Sequence, residues 1–294
     1  MFKKQSFIFV AVLSLTLLFA VSCEKKSPLS PTGSSSGFDA DSDAAESIAS
    51  ATGENTGGLM DGVGDVADLS SGSSFQGLGK ADAMGLAKAG ENAGASYDST
   101  TGLWTITFTR ENGSPSGVRY AYISRTVTVR FLNQDGQFQR RFALDGDTAA
   151  TIEFNIVSGS GRHKTQKLSQ RLNSLVAGFV ATGTNTNFIT VNGTYQRAAT
   201  DTITTPRATR TLDYGLNLNL VNLHGPRGDR KHLLETVSGT VTGTFAGHVT
   251  FERGETYNEK DISRELSVTL SDSPILKIRG RMFKFNLKAG EITD

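Results

Sequence analysis

YISRTVTVRF, residues 122–131, alternates apolar and polar side chains with a period of two. Val127, Val129 and Phe131 fall on one face, while Thr126, Thr128 and Arg130 fall on the other. That is the pattern of a β-strand buried on one side. Arg125 lies on the apolar face, which a guanidinium does not join without a reason. DISRELSVTL, residues 261–270, repeats the arrangement, with Arg264 preceding Leu266, Val268 and Leu270.

Similar runs extend in both directions. LWTITFTR (103–110), TIEFNIV (151–157) and RTLDYGLNLNL (210–220) alternate in the same way, and Asn133-Gln134-Asp135-Gly136 reads as a tight turn between strands. About ten strands follow one another with no helical period after Gly94, so they pair antiparallel. In TVSGTVTGTFAGHVTFER (236–253), Gly239, Gly243 and Gly247 share the face that carries Val241, Phe245 and Val249. Glycines so placed predict a long, curved strand with room above it. LNSLVAGFVATG (172–183) is apolar on both faces and is expected to be buried on both. The predicted fold is all-β: an antiparallel β-meander of about ten strands, residues 97–294, forming a closed or half-closed barrel or a curved sheet.

The arginines recur at related places. TITFTR (105–110) leads to ISRTVTVRF, HVTFER (248–253) leads to ISRELSVTL, and a shorter third copy joins TVNGTYQR (190–197) to ATRTLDYGL (208–216). Each copy is read as a strand ending in arginine, a loop, and a strand beginning near arginine, as if a hairpin had been duplicated. By parity Arg110, Arg125, Arg197, Arg210, Arg253 and Arg264 all sit on the apolar face at the loop end. Two readings follow. The guanidinium stems close the core and pair with nearby acids, or they form a rim that receives an anionic lipid, a glycan or an envelope protein.

Residues 38–96 are rich in Ala, Gly, Ser and Asp and are read as helical or disordered. Over 38–94, ten acidic residues stand against Lys80 and Lys88, net −8; the rest of the chain from residue 95 is net +6. Ile48, Ala51, Leu59, Val63, Val66 and Leu69 recur near helical spacing, with Asp61, Asp65 and Asp68 on a neighbouring stripe at i, i+4 and i+7. The glycines of β-strand 237–249 are expected to make space for this segment, which would bring its aspartates to the arginines.

The N-terminus carries Lys3 and Lys4, an apolar run over residues 7–21, and Ala20-Val21-Ser22-Cys23. The run is shorter than the ~20 residues of a membrane-spanning helix, so it reads as an export signal. Its ending resembles the lipobox of bacterial lipoproteins, although Ala20 stands where leucine is usual. The resemblance implies a signal peptide over 1–22 and an acylated (palmitate-bearing) Cys23. It also implies attachment to a membrane of the cell envelope, facing the periplasm; Glu24 after the cysteine implies the outer membrane. Several acyl chains at ~0.8 kcal/mol per buried CH2 make a durable anchor. Residues 23–37, Pro/Gly/Ser-rich, read as a flexible tether.

Much is excluded. The four histidines show no zinc spacing, so no metal and no cofactor are expected. The one G-x-S-x-G match, residues 33–37, lies in the tether, and no phosphate loop is present. Arg-Gly-Asp within HGPRGDRKH is a three-residue match that chance supplies. The basic excess is spread thinly, which argues against nucleic acid. The expectation is a lipid-anchored, non-catalytic envelope binding or structural module. The alternatives are a lipid or lipoprotein carrier built on a half-barrel, or an envelope glycan or ester hydrolase with catalytic residues unknown.

Overall fold

The computed structural model describes residues 39–72, 93–228 and 230–293. Cys23 and the stretches expected to be a signal segment (1–22) and a tether (23–37) lie outside them. The compact unit of the chain runs over residues 38–294.

It begins with two helices, α1 (Ala40–Thr52) and α2 (Leu59–Ser70). Asp39 caps α1, its carboxylate accepting from the backbone N–H groups of Asp41 and Ser42 at 3.2 Å each. α2 starts after Gly58 with no side-chain cap, and Gly57 turns the chain with φ +68°.

Fifteen strands follow among the described residues. β1 (Ala93–Asp98), β2 (Leu103–Gly113) and β3 (Tyr120–Leu132) pair in order. A short excursion holds β4 (Phe138–Gln139), which pairs with β3, and a separate hairpin of β5 (Ala143–Leu144) and β6 (Asp147–Thr148). Next come the long strands β7 (Thr151–Lys164), β8 (Leu168–Thr182), β9 (Phe188–Thr205) and β10 (Ala208–Pro226). A helix of seven residues, α3 (Arg230–Thr236), connects to β11 (Ser238–Arg253) and β12 (Thr256–Leu270). β13 (Ile275–Ile278), β14 (Arg281–Asn286) and β15 (Glu291–Thr293) end the meander. Every pairing is antiparallel, with order β1-β2-β3-β7-β8-β9-β10-β11-β12-β13-β14-β15; the sheet is curved but not closed into a barrel.

One face of the sheet carries the core, from Trp104, Ile106 and Phe108 through Phe154, Phe179, Tyr195 and Phe245 to Leu266 and Val268. The other face is wet and threonine-rich, as in the Thr107–Thr126 hydroxyl pair at 3.2 Å. The helices fill the concave side. α2 is buried nearly all round: Leu59, Met60, Val63, Val66 and Leu69 are in the core, and so are Asp61 and Asp65. It packs on β7 and β9, while α1 packs on β11, β13, β14 and β15. Burial of the five large apolar side chains of α2 at ~1.5–3 kcal/mol each is what holds a helix weakened by Gly62 and Gly64.

Four expectations are revised. The glycines of β11 do not make space for α2. A Cβ at Gly243 would lie 2.0 Å from the Asn217 carbonyl oxygen of β10, and one at Gly247 would lie 2.7 Å from that of Asp213. They let two neighbouring strands coil tightly, which curves the sheet. β8 is buried on one face only: Leu175, Ala177 and Phe179 are inside, while Val176 and Val180 are about half exposed on the outer face, at 51% and 44%. Two hairpin copies depart from the expected arginine at the loop end: β9 continues to Thr205, so Arg197 pairs with Leu216 mid-strand, and β12 begins at Thr256, so Arg264 pairs with Phe245 mid-strand. Finally, α3 is a helix where none was expected, lodged in the connection between β10 and β11.

Candidate functional site

The acidic stripe of α2 faces the concave side of the sheet and meets three arginines. Asp61 lies 2.8 Å from Arg110 on β2, 2.7 Å from Arg125 on β3 and 2.6 Å from Arg230 on α3. Asp65 pairs with Arg110 at 2.5 Å and with Arg230, and lies 3.6 Å from Arg125. Asp68 reaches Arg230 at 3.3 Å, and Glu54 stands 3.7 Å from the same guanidinium. Arg125 is 1% exposed and also donates to the Gly57 carbonyl at 2.7 Å. Burial pushes the Asp61 carboxyl up, but the fields of Arg110, Arg125 and Arg230 outweigh it and hold the group well below the usual carboxylate range. For Asp65, burial and the neighbouring Asp61 charge win over the arginines, and the carboxyl is raised. The Arg230 guanidinium is held charged by Asp65 and Asp61 despite its burial.

α1 presents a second polar stripe, Asp43, Ser47 and Ser50, again at i, i+4 and i+7. Asp43 pairs with Arg210 on β10 at 3.2 Å, and burial pushes its carboxyl up to about 6. Asp41 pairs with Arg264 on β12 at 2.5 Å, and Asp39 with Arg281 on β14 at 2.7 Å. Ser50 Oγ lies 3.2 Å from His163 Nδ1 on β7. Beside them is a buried network on β8, β9 and β10. Arg197 donates to Gln170 Oε1 at 2.6 Å and faces the Tyr195 hydroxyl at 3.5 Å. Gln170 Nε2 donates to Asp201 Oδ2 and to the Tyr214 hydroxyl, both at 3.2 Å. Burial raises Asp201 to about 6, although Ser47, Arg197, Gln170 and Tyr214 all oppose it.

The six arginines singled out in the sequence therefore separate. Arg110 and Arg125 join the α2 cluster, Arg210 and Arg264 hold α1, and Arg197 anchors the inner network. Arg253 is exposed at the β11–β12 turn, beyond Phe251. Arg230 was not among them. It sits in a Gly-flanked loop sequence, GPRGDRK, and only the turn of α3 aims it inward; the four acids spaced over residues 54–68 were the signal that a further cation was needed.

No family model, curated protein or solved structure matches this chain. Its own residues carry the chemistry. A cavity of about 580 Å³ borders the α2 cluster, lined among others by Glu54, Arg110, Glu111, Tyr122, Arg230 and Lys288. Among the described residues no three His, Cys, Asp or Glu side chains gather as metal ligands would. Among the described residues two hydroxyls lie 3.2 Å from an imidazole nitrogen: Thr190 from His224 at the exposed surface, away from this cavity, and Ser50 from His163 in the interior. Ser50 is fully buried, and burial together with the Arg197 and Arg119 charges pushes the His163 imidazole down to about 4. A base that weak, against a hydroxyl that no substrate can reach, supports packing rather than catalysis.

Proposed function

We propose that this chain is a non-catalytic binding or structural module of the bacterial cell envelope, attached to the outer membrane by lipid on Cys23. One observation carries the non-catalytic reading. The concave side of the sheet is filled by the chain's own α1 and α2, whose acids form ion pairs with five of the inward-facing arginines: Arg110, Arg125, Arg210, Arg230 and Arg264. A hydrolase needs reactive groups open to substrate, and the groups here are neutralised against one another. The anchoring rests on the lipobox-like Ala20-Val21-Ser22-Cys23, and the tether over 23–37 gives the β domain reach from the bilayer.

A carrier built on a half-barrel is the second reading. It is favoured by the open sheet, whose apolar concave face is covered by helices that contribute no strand to it. The test of the first reading has two arms. Cys23→Ala should move the full chain from the membrane to the soluble fraction. The mature chain should give no turnover of chromogenic esters or glycosides. Turnover lost in Ser50→Ala would replace this reading with a hydrolase.

A further inference from the structure

We propose that the concave apolar face beneath α2 is a binding site for an anionic amphiphile, with α2 as its resting occupant. The inference rests on the non-catalytic binding role and names its ligand. α2 has two features that such a ligand must share. Its apolar side lies on the floor of the sheet, where a Cβ at Gly62 would come 2.9 Å from Phe179 and 3.5 Å from Ile156. Its charged side supplies Asp61 and Asp65 to Arg110, Arg125 and Arg230. An alkyl chain with a phosphate or carboxylate head offers the same pair of surfaces in the same order: apolar tail on the floor, anion at the arginines.

The arrangement also allows exchange. The meander is fully paired from β1 to β15 without help from α2, so the helix can leave without breaking a ladder. Buried ion pairs contribute little net stability because desolvation offsets their attraction. α2 has no side-chain cap and two interior glycines, so its helical form depends on being seated. Arg110 and Arg230 line the cavity of about 580 Å³, with side-chain exposures of 13% and 10%. An incoming anionic head therefore meets two of the three cations before α2 has moved.

The test locks the helix. A Cβ at Gly57 would lie 3.4 Å from Ile123 Cβ, close to the span of a disulfide. Gly57→Cys with Ile123→Cys, in a chain with Cys23→Ala, ties the start of α2 to β3. Titration calorimetry with dodecyl phosphate, dodecyltrimethylammonium and inorganic phosphate compares the oxidised and reduced forms of that one protein. The strain of a cysteine at φ +68° is common to both forms. The expected result is saturable binding of dodecyl phosphate by the reduced form, about tenfold or more weaker after oxidation and restored by dithiothreitol. Neither the cationic amphiphile nor phosphate alone should match it. Gly62→Leu, which wedges the helix off Phe179, should tighten binding. Transfer of phosphatidylglycerol from vesicles would place the ligand's source in the bilayer, and binding of dodecyl phosphate alone would place it among free amphiphiles. Equal affinity of the oxidised and reduced forms overturns the inference. So does absence of binding by Gly62→Leu with its strand dichroism intact. Either failure leaves the structural form of the envelope role standing, which turnover, or an unchanged membrane fraction for Cys23→Ala, overturns.

Discussion

Asp61 is the most heavily paired acid among the described residues, with guanidinium nitrogens at 2.6, 2.7 and 2.8 Å. Removing one partner of a buried ionic group leaves the others desolvated and unpaired, at a cost of about 3–5 kcal/mol. Asp61→Ala should lose that much in urea denaturation. Glu153→Ala breaks an equally short pair with Arg130, but one whose side chains are 29% and 35% exposed, so it should lose less than about 1 kcal/mol. Equal losses for the two would mean that burial does not set the strength of these pairs. Asp201 makes a prediction of the opposite sign. Burial raises its carboxyl to about 6 from an ordinary 3.8, so the folded state holds its proton more tightly than the unfolded state. Its contribution to stability is present below pH 4 and is lost as pH rises to about 6. Asp43 follows the same sign, whereas His163, pushed down to about 4, contributes stability that is lost as pH falls from 6.5 towards 4. The wild-type curve is thus a sum of opposed terms, and the difference between proteins isolates one of them. Asp201→Asn should match wild type near pH 4 and gain on it up to pH 6, by at most about 3 kcal/mol above that. Parallel pH curves for the two proteins would remove Asp201 from the titrating set.

At the scale of elements, two glycines on neighbouring strands separate close approach from mere flexibility. Gly243 of β11 has the Asn217 carbonyl oxygen 2.0 Å from where its Cβ would be, whereas Gly215 of β10 has nothing within 4 Å. Gly243→Ala must push β10 and β11 apart and should cost about 3 kcal/mol or more, since backbone rather than a flexible side chain has to move. Gly215→Ala should be neutral or slightly stabilising, because it only removes unfolded-state freedom. Thermal melts of the two variants decide the matter, and a tolerated Gly243→Ala would refute the account of sheet curvature. α2 poses the same question in a helix. Gly62→Ala gains about 1 kcal/mol of helix propensity but sets a methyl group 2.9 Å from the Phe179 ring. The net should be a loss of about 1 kcal/mol that Phe179→Leu in the same chain recovers in part. If Gly62→Ala were stabilising by itself, α2 would not be seated as tightly on β8 as the structure has it.

At the scale of the molecule, the strands were legible because one buried face writes a period of two, and the acidic stripe was legible because a helix writes i, i+4, i+7. Arg125 on an apolar face was equally informative: a buried cation implies a buried acid somewhere else in the chain. What could not be read was which acid. Pairings such as Arg264 with Asp41 and Arg230 with Asp68 span 223 and 162 residues, and no local pattern encodes them. Nor could parity survive bulges such as that between Leu172 and Ser174, which turns Leu172 and Leu175 to the same side. A division of labour results: the strands hold one another, and residues 39–72 fill the space on their concave side. Deleting 39–72 should therefore leave most of the strand signal in far-ultraviolet dichroism while exposing Phe154, Ile156 and Phe179. The exposed face should bind a hydrophobic dye strongly, and the domain should self-associate. A peptide of residues 39–72 added in trans should quench the dye and restore solubility. Its affinity should change little between 0.1 and about 0.5 M salt, because the Asp61 and Asp65 pairs are shielded from ions in solution. Collapse of the strand signal on deletion would mean that the helices organise the sheet rather than occupy it. The internal occupant would then be a nucleus of the fold, and α2 could not exchange for any ligand.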